Sequence, residues 1–436
     1  MAALDIADPA ACASPTYLPL RQVVSVGVGN ALEFYDFLTF SFFAIQIGHC
    51  FFPASRTTHG LLFTLATFGA GFVTRPLGGF VIGRFADRSG RKPAMMLSFA
   101  LMGIAITGLA LTPSYAAIGV AAPALLLVFR LVQGFALGGE VGPSTAFLIE
   151  AAPPRRRGLY VGLQYGTQDI AVIAAGLVGY VLSSWLSTAA LDAWGWRLAF
   201  LLGAAVVPVG LIIRRSLPET LGQPDEGVGP APTGAAPARI IVLGLMMLAA
   251  TGISIYVIEY IATYAQDSLH MATNLAFGAT VTTGLVSLVC DISGGVLSDR
   301  VGRRPVMLTA VALLLALILP AYLAMIHWPS PLVVYGGVAL LSALLGFCAG
   351  PTLVAITESL PRASRSGAIG TLYAVSLSLF GGSTQFMIKW LTDVTGSPLA
   401  PAWYMGAALI VGAAAMLLMR ETAPAALSRL SPARRA

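Results

Sequence analysis

The sequence predicts an all-α membrane protein of twelve transmembrane helices in two six-helix bundles. Three observations carry that expectation. The chain of 436 residues is 57% hydrophobic and only 10% charged, with a mean hydropathy of +0.83. Soluble domains carry about 25% charge, so most of this chain belongs in lipid or against other buried helices. Apolar runs long enough to cross a bilayer recur along its whole length. Finally, one short charged stretch is written twice: Asp87-Arg88-Ser89-Gly90-Arg91-Lys92-Pro93 returns as Asp299-Arg300-Val301-Gly302-Arg303-Arg304-Pro305. A repeat spaced by about half the chain indicates two homologous halves.

In chain order, residues 1–22 carry Asp5 and Asp8 and no apolar core of a cleavable signal, so they are expected as a cytoplasmic N-terminus. Apolar runs follow at 23–47, 60–83, 94–113, 119–149, 159–185 and 197–213, which places a first bundle at 23–215. Residues 216–239 hold Pro218, Pro224, Pro230, Pro232 and Pro237 beside Asp225-Glu226, the composition of a flexible linker. Six further runs, at 240–265, 275–297, 305–326, 332–356, 368–390 and 402–419, place a second bundle at 240–420, with 421–436 as a cytoplasmic tail. Each copy of the charged stretch is expected as a tight hairpin between two spans, reversing at Gly90 or Gly302. A second register mark supports the repeat: Gly142-Pro143, Glu150 and Arg157-Gly158 are echoed by Gly350-Pro351, Glu358 and Arg365-Ser366-Gly367.

The net charge of +6 and pI near 9.3 could suggest nucleic acid, but placement argues for none. All basic residues except Arg56, Arg75, Arg130, Arg197 and Lys389 fall in the tails, the linker or alternate connections. That bias puts those connections and both termini in the cytoplasm. Cys12, Cys50, Cys290 and Cys348 show no metal or redox spacing and read as unpaired packing residues. His49, His59, His270 and His327 fall at or near the opposite loops, solvated, with a proton relay as the alternative. No nucleophile–base pair, phosphate loop or metal set is present to suggest an enzyme, a metal or a cofactor.

An ionisable group deep in a bilayer costs at least a few kcal/mol, so each one is a functional candidate. Counting about 1.5 Å per residue from the basic ends places Arg75 about 13 Å deep, Glu140 about 15 Å, Asp169 about 16 Å, Asp36 about 22 Å and Asp291 about 12 Å. Most of these should converge near the midplane, whereas Arg130, about 30 Å from Glu150, should lie near the periplasmic mouth. Glu33 and Asp36 are three apart and share a helix face, close enough to share a proton; alternatively Arg75 or Asn30 satisfies them structurally. Arg75 offers a forked donor set suited to a substrate carboxylate, or an internal salt bridge to Asp36 or Glu140. Gln133, Gln164 and Gln168 can bond a polyanion without adding charge, and the last two share one face of the fifth span. Tyr256, Tyr260 and Tyr264 form a stripe beside Glu259, either packing or substrate contact. Glu150 and Glu358 end their helices at the cytoplasmic face, where loop arginines can pair with them.

The 83–92 stretch resembles the loop signature of the major facilitator superfamily, and Arg130-Leu-Val-Gln133-Gly134 resembles its fourth-span signature. A narrower likeness rests on Gly29-Asn30-Ala31-Leu32-Glu33-Phe34-Tyr35-Asp36-Phe37, Arg75-Pro76-Leu77-Gly78, Trp194-Gly195-Trp196-Arg197 and Arg214-Arg215-Ser216-Leu217-Pro218-Glu219-Thr220. These are similar to the metabolite:proton symporters. Ala121-Ala122-Pro123-Ala124-Leu125 and Phe380-Gly381-Gly382 look most like the citrate and tricarballylate members. The resemblance implies a monomeric inner-membrane importer of a small carboxylate, citrate or a related tricarboxylate, driven by protons through alternating access. A dicarboxylate or betaine-like zwitterion is the alternative substrate, and a non-transporting sensor the alternative class. On this reading Asp36, Glu33, Asp169 and Glu140 handle protons. Arg75, Asn30, Arg130, Gln133, Gln164, Gln168, Tyr256 and Tyr260 meet the substrate. Asp87, Arg88, Arg91, Asp299 and Arg303 gate the cytoplasmic side, with Asp87 expected at the start of the eleventh span.

Overall fold

The computed structural model describes residues 31, 34–52, 59–89, 91–138, 152–215, 238–361 and 365–430. All regular structure among them is helical. Helix α1 comprises residues 34–42 and Ala44–Phe51, and α2 comprises Gly60–Val73 and Arg75–Ser89. Then come α3 (Arg91–Leu111), α4 (Ala121–Leu137), α5 (Arg157–Trp185) and α6 (Trp196–Arg215). The second half repeats the series. It has α7 (Ala238–Glu259, continuing as Ile261–Asp267), α8 (Thr273–Val301), α9 (Arg303–His327) and α10 (Pro331–Ser359). Helix α11 runs Arg365–Ser376 and Gly382–Thr395 through a π-helical turn at Leu377–Gly381, and α12 is Ala400–Leu418. Among the described residues a helix lies within each expected span, and 7 helical stretches are long and apolar enough to cross a membrane by themselves. The linker of 216–237 lies outside the described residues.

The charged repeat is less of a hairpin than its composition suggests. Helix α2 continues through Arg88 and Ser89, and α8 continues through Asp299, Arg300 and Val301. In the second copy the reversal is confined to Gly302, whose φ of 129° is open to glycine and costly for other residues. The charged side chains of the second copy can stay helical because Asp299 and Arg303, both buried, pair with each other. The end of the molecule where they lie, which also carries Arg155–Arg157, is called the basic end below.

Within the halves, helices pack around α4 in the first and around α10 and α12 in the second. Between the halves two pairs meet: α5 lies along α8, the most extensive contact in the molecule, and α2 lies along α11. Small residues make both possible. A Cβ added at Gly162 would meet the Asp291 carbonyl at 2.6 Å, and one at Gly284 would meet the Asp169 carbonyl at 3.1 Å. Gly158 and Gly295 likewise stand backbone against backbone, and Ser378 Oγ donates to the Phe72 carbonyl at 2.8 Å across α11 and α2. Gly295→Ala should therefore lower thermal stability, since its methyl runs into the Gly158 carbonyl. Gly336→Ala, with open space around it on α10, should raise stability by about 0.5–1 kcal/mol through helix propensity. Melting curves of the two purified variants check this opposition of signs.

Candidate functional site

Arg75 and Arg130 are 6% and 0% exposed, and they share one aromatic box. The Arg75 guanidinium lies 4.4 Å from the Phe37 ring centre and 4.0 Å from Phe72. That of Arg130 lies 4.5 Å from Phe37, 4.4 Å from Phe40 and 5.1 Å from Phe68. Ring faces carry negative quadrupole density, and each such contact is worth about 2 kcal/mol or more once water is excluded. Arg130 also donates to Gln133 Oε1 and, at 3.3 Å, to the Phe68 carbonyl. The position of Arg130 corrects the expectation that it sits at a mouth. It is nine residues from the start of α4 at Ala121, about 14 Å deep, and that shorter count decides. Among the described residues neither arginine has a carboxylate within ion-pair distance, and Nε of each has no hydrogen-bond partner.

The Tyr256 hydroxyl of α7 stands within hydrogen-bonding reach of Arg75, with Tyr373 and Glu259 close behind. Its ring meets Phe72 edge-on at 5.3 Å. Beyond Tyr256 two adjoining cavities open between the halves. The first, about 20 Å³, is lined by Phe34, Tyr165, Gln168, Tyr256, Glu259 and Tyr373 among others. The second, about 50 Å³, shares Tyr165, Gln168 and Glu259 and adds Asp169 and Asp291. Such volumes hold one to a few waters, against about 300 Å³ or more for a small-molecule site, so the halves are closed around the centre.

The intramembrane charges do not converge as depth alone suggested. Asp36 is buried against Gly203 of α6, and its Oδ1 has no partner. Asp169 meets Asp291 instead, carboxyl to carboxyl across α5 and α8. Depth along a helix is one coordinate; the direction a side chain faces is another, and spacing to the helix end does not give it. Gln168 lines both cavities and Gln164 is buried on the same helix, whereas Gln133 turns to Arg130. The tyrosine stripe splits. Tyr256 reaches the cavity, Tyr264 donates to the Pro398 carbonyl at 2.9 Å, and Tyr260 is buried between them on the same helix. Asn30, Glu33, Glu140 and Glu150, and the side chains of Asp87 and Arg91, lie outside the described residues; Arg88 is exposed.

Both ends are shut, by different chemistry. At the basic end Asp299 of the second half accepts from the Gly158 and Leu159 amides at the start of α5, at 2.9 and 3.0 Å. A carboxylate there satisfies free amides and the positive helix end together. Arg303 bonds Asp299 at 2.6 Å and Glu358 at 3.4 Å, and Glu358 pairs with Arg157 of the first half at 3.4 Å. The first residues of the expected tail join this network. Glu421 accepts from the Arg303 and Arg304 amides, both at 2.9 Å, Thr422 donates to Glu358 at 2.6 Å, and a short helix α13 follows at Pro424–Leu430. At the other end the closures are neutral: Ser41 to Gln385 at 2.8 Å, Gln46 to Gln266 at 3.4 Å, and Phe43 against Phe277. Arg197 of the Trp-Gly-Trp-Arg motif is a staple here, donating to the Thr112 carbonyl at 2.9 Å and to Ala193 at 2.7 Å.

Comparison with family models matches residues 26–382 to the Major Facilitator Superfamily. The chain belongs to that superfamily. It is a membrane transporter by family and fold, and not an enzyme. The chain is 34% identical over 399 residues to a citrate-proton symporter of Klebsiella pneumoniae, covering 90% of each protein. It is also 34% identical to an alpha-ketoglutarate permease of Escherichia coli, covering 95% of this chain and 97% of the relative. A proline/betaine transporter of the same organism is 29% identical over 95% of this chain and 86% of its own length. Among solved structures, a D-xylose-proton symporter aligns with a TM-score of 0.76 at 17% identity, covering 93% of this chain and 99% of that one, which speaks to the fold alone.

Asp291, Glu259, Tyr165 and Tyr373 join the site beyond the sequence-based set. The first two were visible as acids within spans, but nothing in the sequence said which faces meet. Two outcomes test this geometry. Arg303→Ala leaves Asp299 and Glu358 without their buried cation, a loss of about 3–5 kcal/mol; hydrogen exchange at the Gly158 and Leu159 amides should rise sharply. His49, just past the first apolar run, bonds Asp192 at 3.0 Å, and that partner raises its pKa above the ordinary histidine value. Its stabilisation is thus complete below the ordinary value and lost as pH rises through the raised one. The melting temperature of His49→Gln should fall below that of the unaltered chain in acid and match it in mild alkali.

Proposed function

We propose that this superfamily member imports a small carboxylate, citrate or a related tricarboxylate, with protons across the inner membrane. Its basic end faces the cytoplasm along with both termini, and the chain acts as a monomer. Two six-helix units, 23–215 and 240–420, rock about the central cavities, with 216–239 as the cytoplasmic connector. The observation that carries the reading is Arg75: a buried guanidinium beside the cavity, with a free Nε and no carboxylate of its own among the described residues. A substrate carboxylate supplies the missing partner in bidentate geometry, once Tyr256 turns aside. Arg130, fixed behind the same rings, adds a second positive charge. The relatives named for citrate and alpha-ketoglutarate support the substrate class.

A tricarboxylate carries two or three negative charges near neutral pH, each costing about 2.3 kcal/mol per 100 mV of opposing potential. Co-transported protons must offset that cost. Asp36, with Glu33, and Asp169 are the carriers this reading assigns. At the basic end Asp87, Arg88 and Arg91 in the first copy of the charged repeat, with Asp299 and Arg303 in the second, are the gating set this reading assigns. One observation favours a second substrate class. Glu259 shares a wall with Tyr165, Tyr256 and Tyr373 in the first cavity and with Tyr165, Asp169 and Asp291 in the second, a lining that also suits the cationic group of a zwitterion.

Uptake of a panel of radiolabelled tricarboxylates, dicarboxylates and betaines by cells expressing the chain decides the class. Substrate binding to two variants decides the role of Arg75. If it grips a carboxylate, Arg75→Lys loses about tenfold or more in affinity despite keeping the charge, and Arg75→Ala loses further. If Lys restores what Ala destroys, Arg75 is structural and the proposal loses its anchor.

A further inference from the structure

Asp169 and Asp291 meet on the seam between the two halves. Asp169 is on α5 and Asp291 on α8, both line one cavity, and their carboxyl groups are within hydrogen-bonding reach. The backbones on either side are packed close, Gly162 against the Asp291 carbonyl and Gly284 against that of Asp169. Asp169 Oδ2 and Asp291 Oδ1 are buried with no hydrogen-bond donor, and neither residue has a cation at ion-pair distance among the described residues. Two ionised carboxylates have acceptors only, so a bond between them requires a proton on one. With both ionised, two like charges face each other away from water, where little screens their repulsion.

A second observation lies in the same cavity. Glu259 of α7 is 8% exposed, its Oε2 has no partner, and it lines the wall that Asp169 and Asp291 share. It is an acceptor poised beside the pair. The remaining groups that face the pair are Tyr165 on α5, Cys290 on α8 and Cys348 on α10. Tyr373 on α11 stands behind Tyr165, and the nearest cation, Arg75, acts on Glu259 rather than on the pair. Phenols and thiols are neutral around pH 7, so Glu259 is the acid that can exchange with the pair.

We infer that Asp169 and Asp291 form a clasp between the two halves that closes on one shared proton. With the proton in place the carboxyls bond and α5 and α8 stay in contact at mid-membrane. When it leaves, through Glu259 and the cavity, two like charges face each other and the closed state is lost. The proton breaks one O–H bond and forms another on Glu259 or water; nothing is oxidised or reduced. Because alternating access passes through a closed state, substrate exchange would need this proton. That consequence rests on the transport reading above, whereas the clasp itself does not.

The test uses the full chain in lipid nanodiscs, its native cysteines replaced by alanine, with nitroxide labels at Leu163→Cys on α5 and Leu297→Cys on α8. Both positions are exposed on the outer surface. Without substrate, the label separation should lengthen as pH rises. In Asp169→Asn and in Asp291→Asn it should stay short throughout, because an amide donates to the remaining carboxylate in place of the proton. Counterflow in proteoliposomes should fall about tenfold per pH unit on the alkaline side in the unaltered chain and stay flat in both variants. A separation indifferent to pH in the unaltered chain, or an unchanged response in both Asn variants, overturns the clasp. If labels respond to pH but no acid of the panel is exchanged, the clasp stands and the transport reading falls.

Discussion

The contact of α5 with α8 is the constraint on which the rest depends. Glycines bring the two backbones together along most of their length, so the halves have almost no tolerance at this seam. Packed interfaces of this kind are bistable rather than compressible: they are either joined or parted. The polar groups on the seam inherit that property. The amide groups of Gly158 and Leu159 are capped by Asp299 only when the seam is shut, and Asp169 touches Asp291 only then. A small chemical change at one of these points is therefore converted into a large change in the relation of the halves.

The molecule also separates its charges by neighbourhood. The two buried arginines sit among phenylalanines in the first half, held by ring faces and carbonyls. Three buried acids, Asp169, Glu259 and Asp291, line the second cavity between the halves. Direct pairing would have spent the arginine forks and the acid oxygens on each other. Kept apart, both remain available to a visiting ion or proton, and Tyr256 stands between them. The two exits differ in the same spirit. An ionic network shuts the basic end, whereas amides, hydroxyls and rings shut the other, so salt and pH act on the two closures unequally.

The sequence made the span boundaries and the internal repeat legible because hydropathy and punctuation are local properties. The Glu358 pairing with loop arginines and the reversal at Gly302 also followed from local chemistry. What stayed hidden was azimuth. In lipid a helix face shows no polar stripe to mark its partner, so Asp36 gave no sign of turning to α6 rather than to Arg75. Nor did Asp291 announce Asp169, which lies in the other half of the chain. The tyrosine stripe divides for a related reason: over about two turns Tyr256 lines a cavity while Tyr264 turns to a backbone carbonyl. Arg130 shows the hazard of measuring depth from the far end of a helix.

Glu421 holds a role out of proportion to its place in the chain. It accepts the backbone amides of Arg303 and Arg304, whose free N–H groups open a helix made more than a hundred residues earlier. Those amides can find this partner only after the last span has been made and has brought residue 421 into position. Thr422 then reaches Glu358 as well. The latch at the basic end is thus completed by the segment synthesised after every helix it joins, so the closed arrangement is available only to a chain that has folded through its twelfth helix.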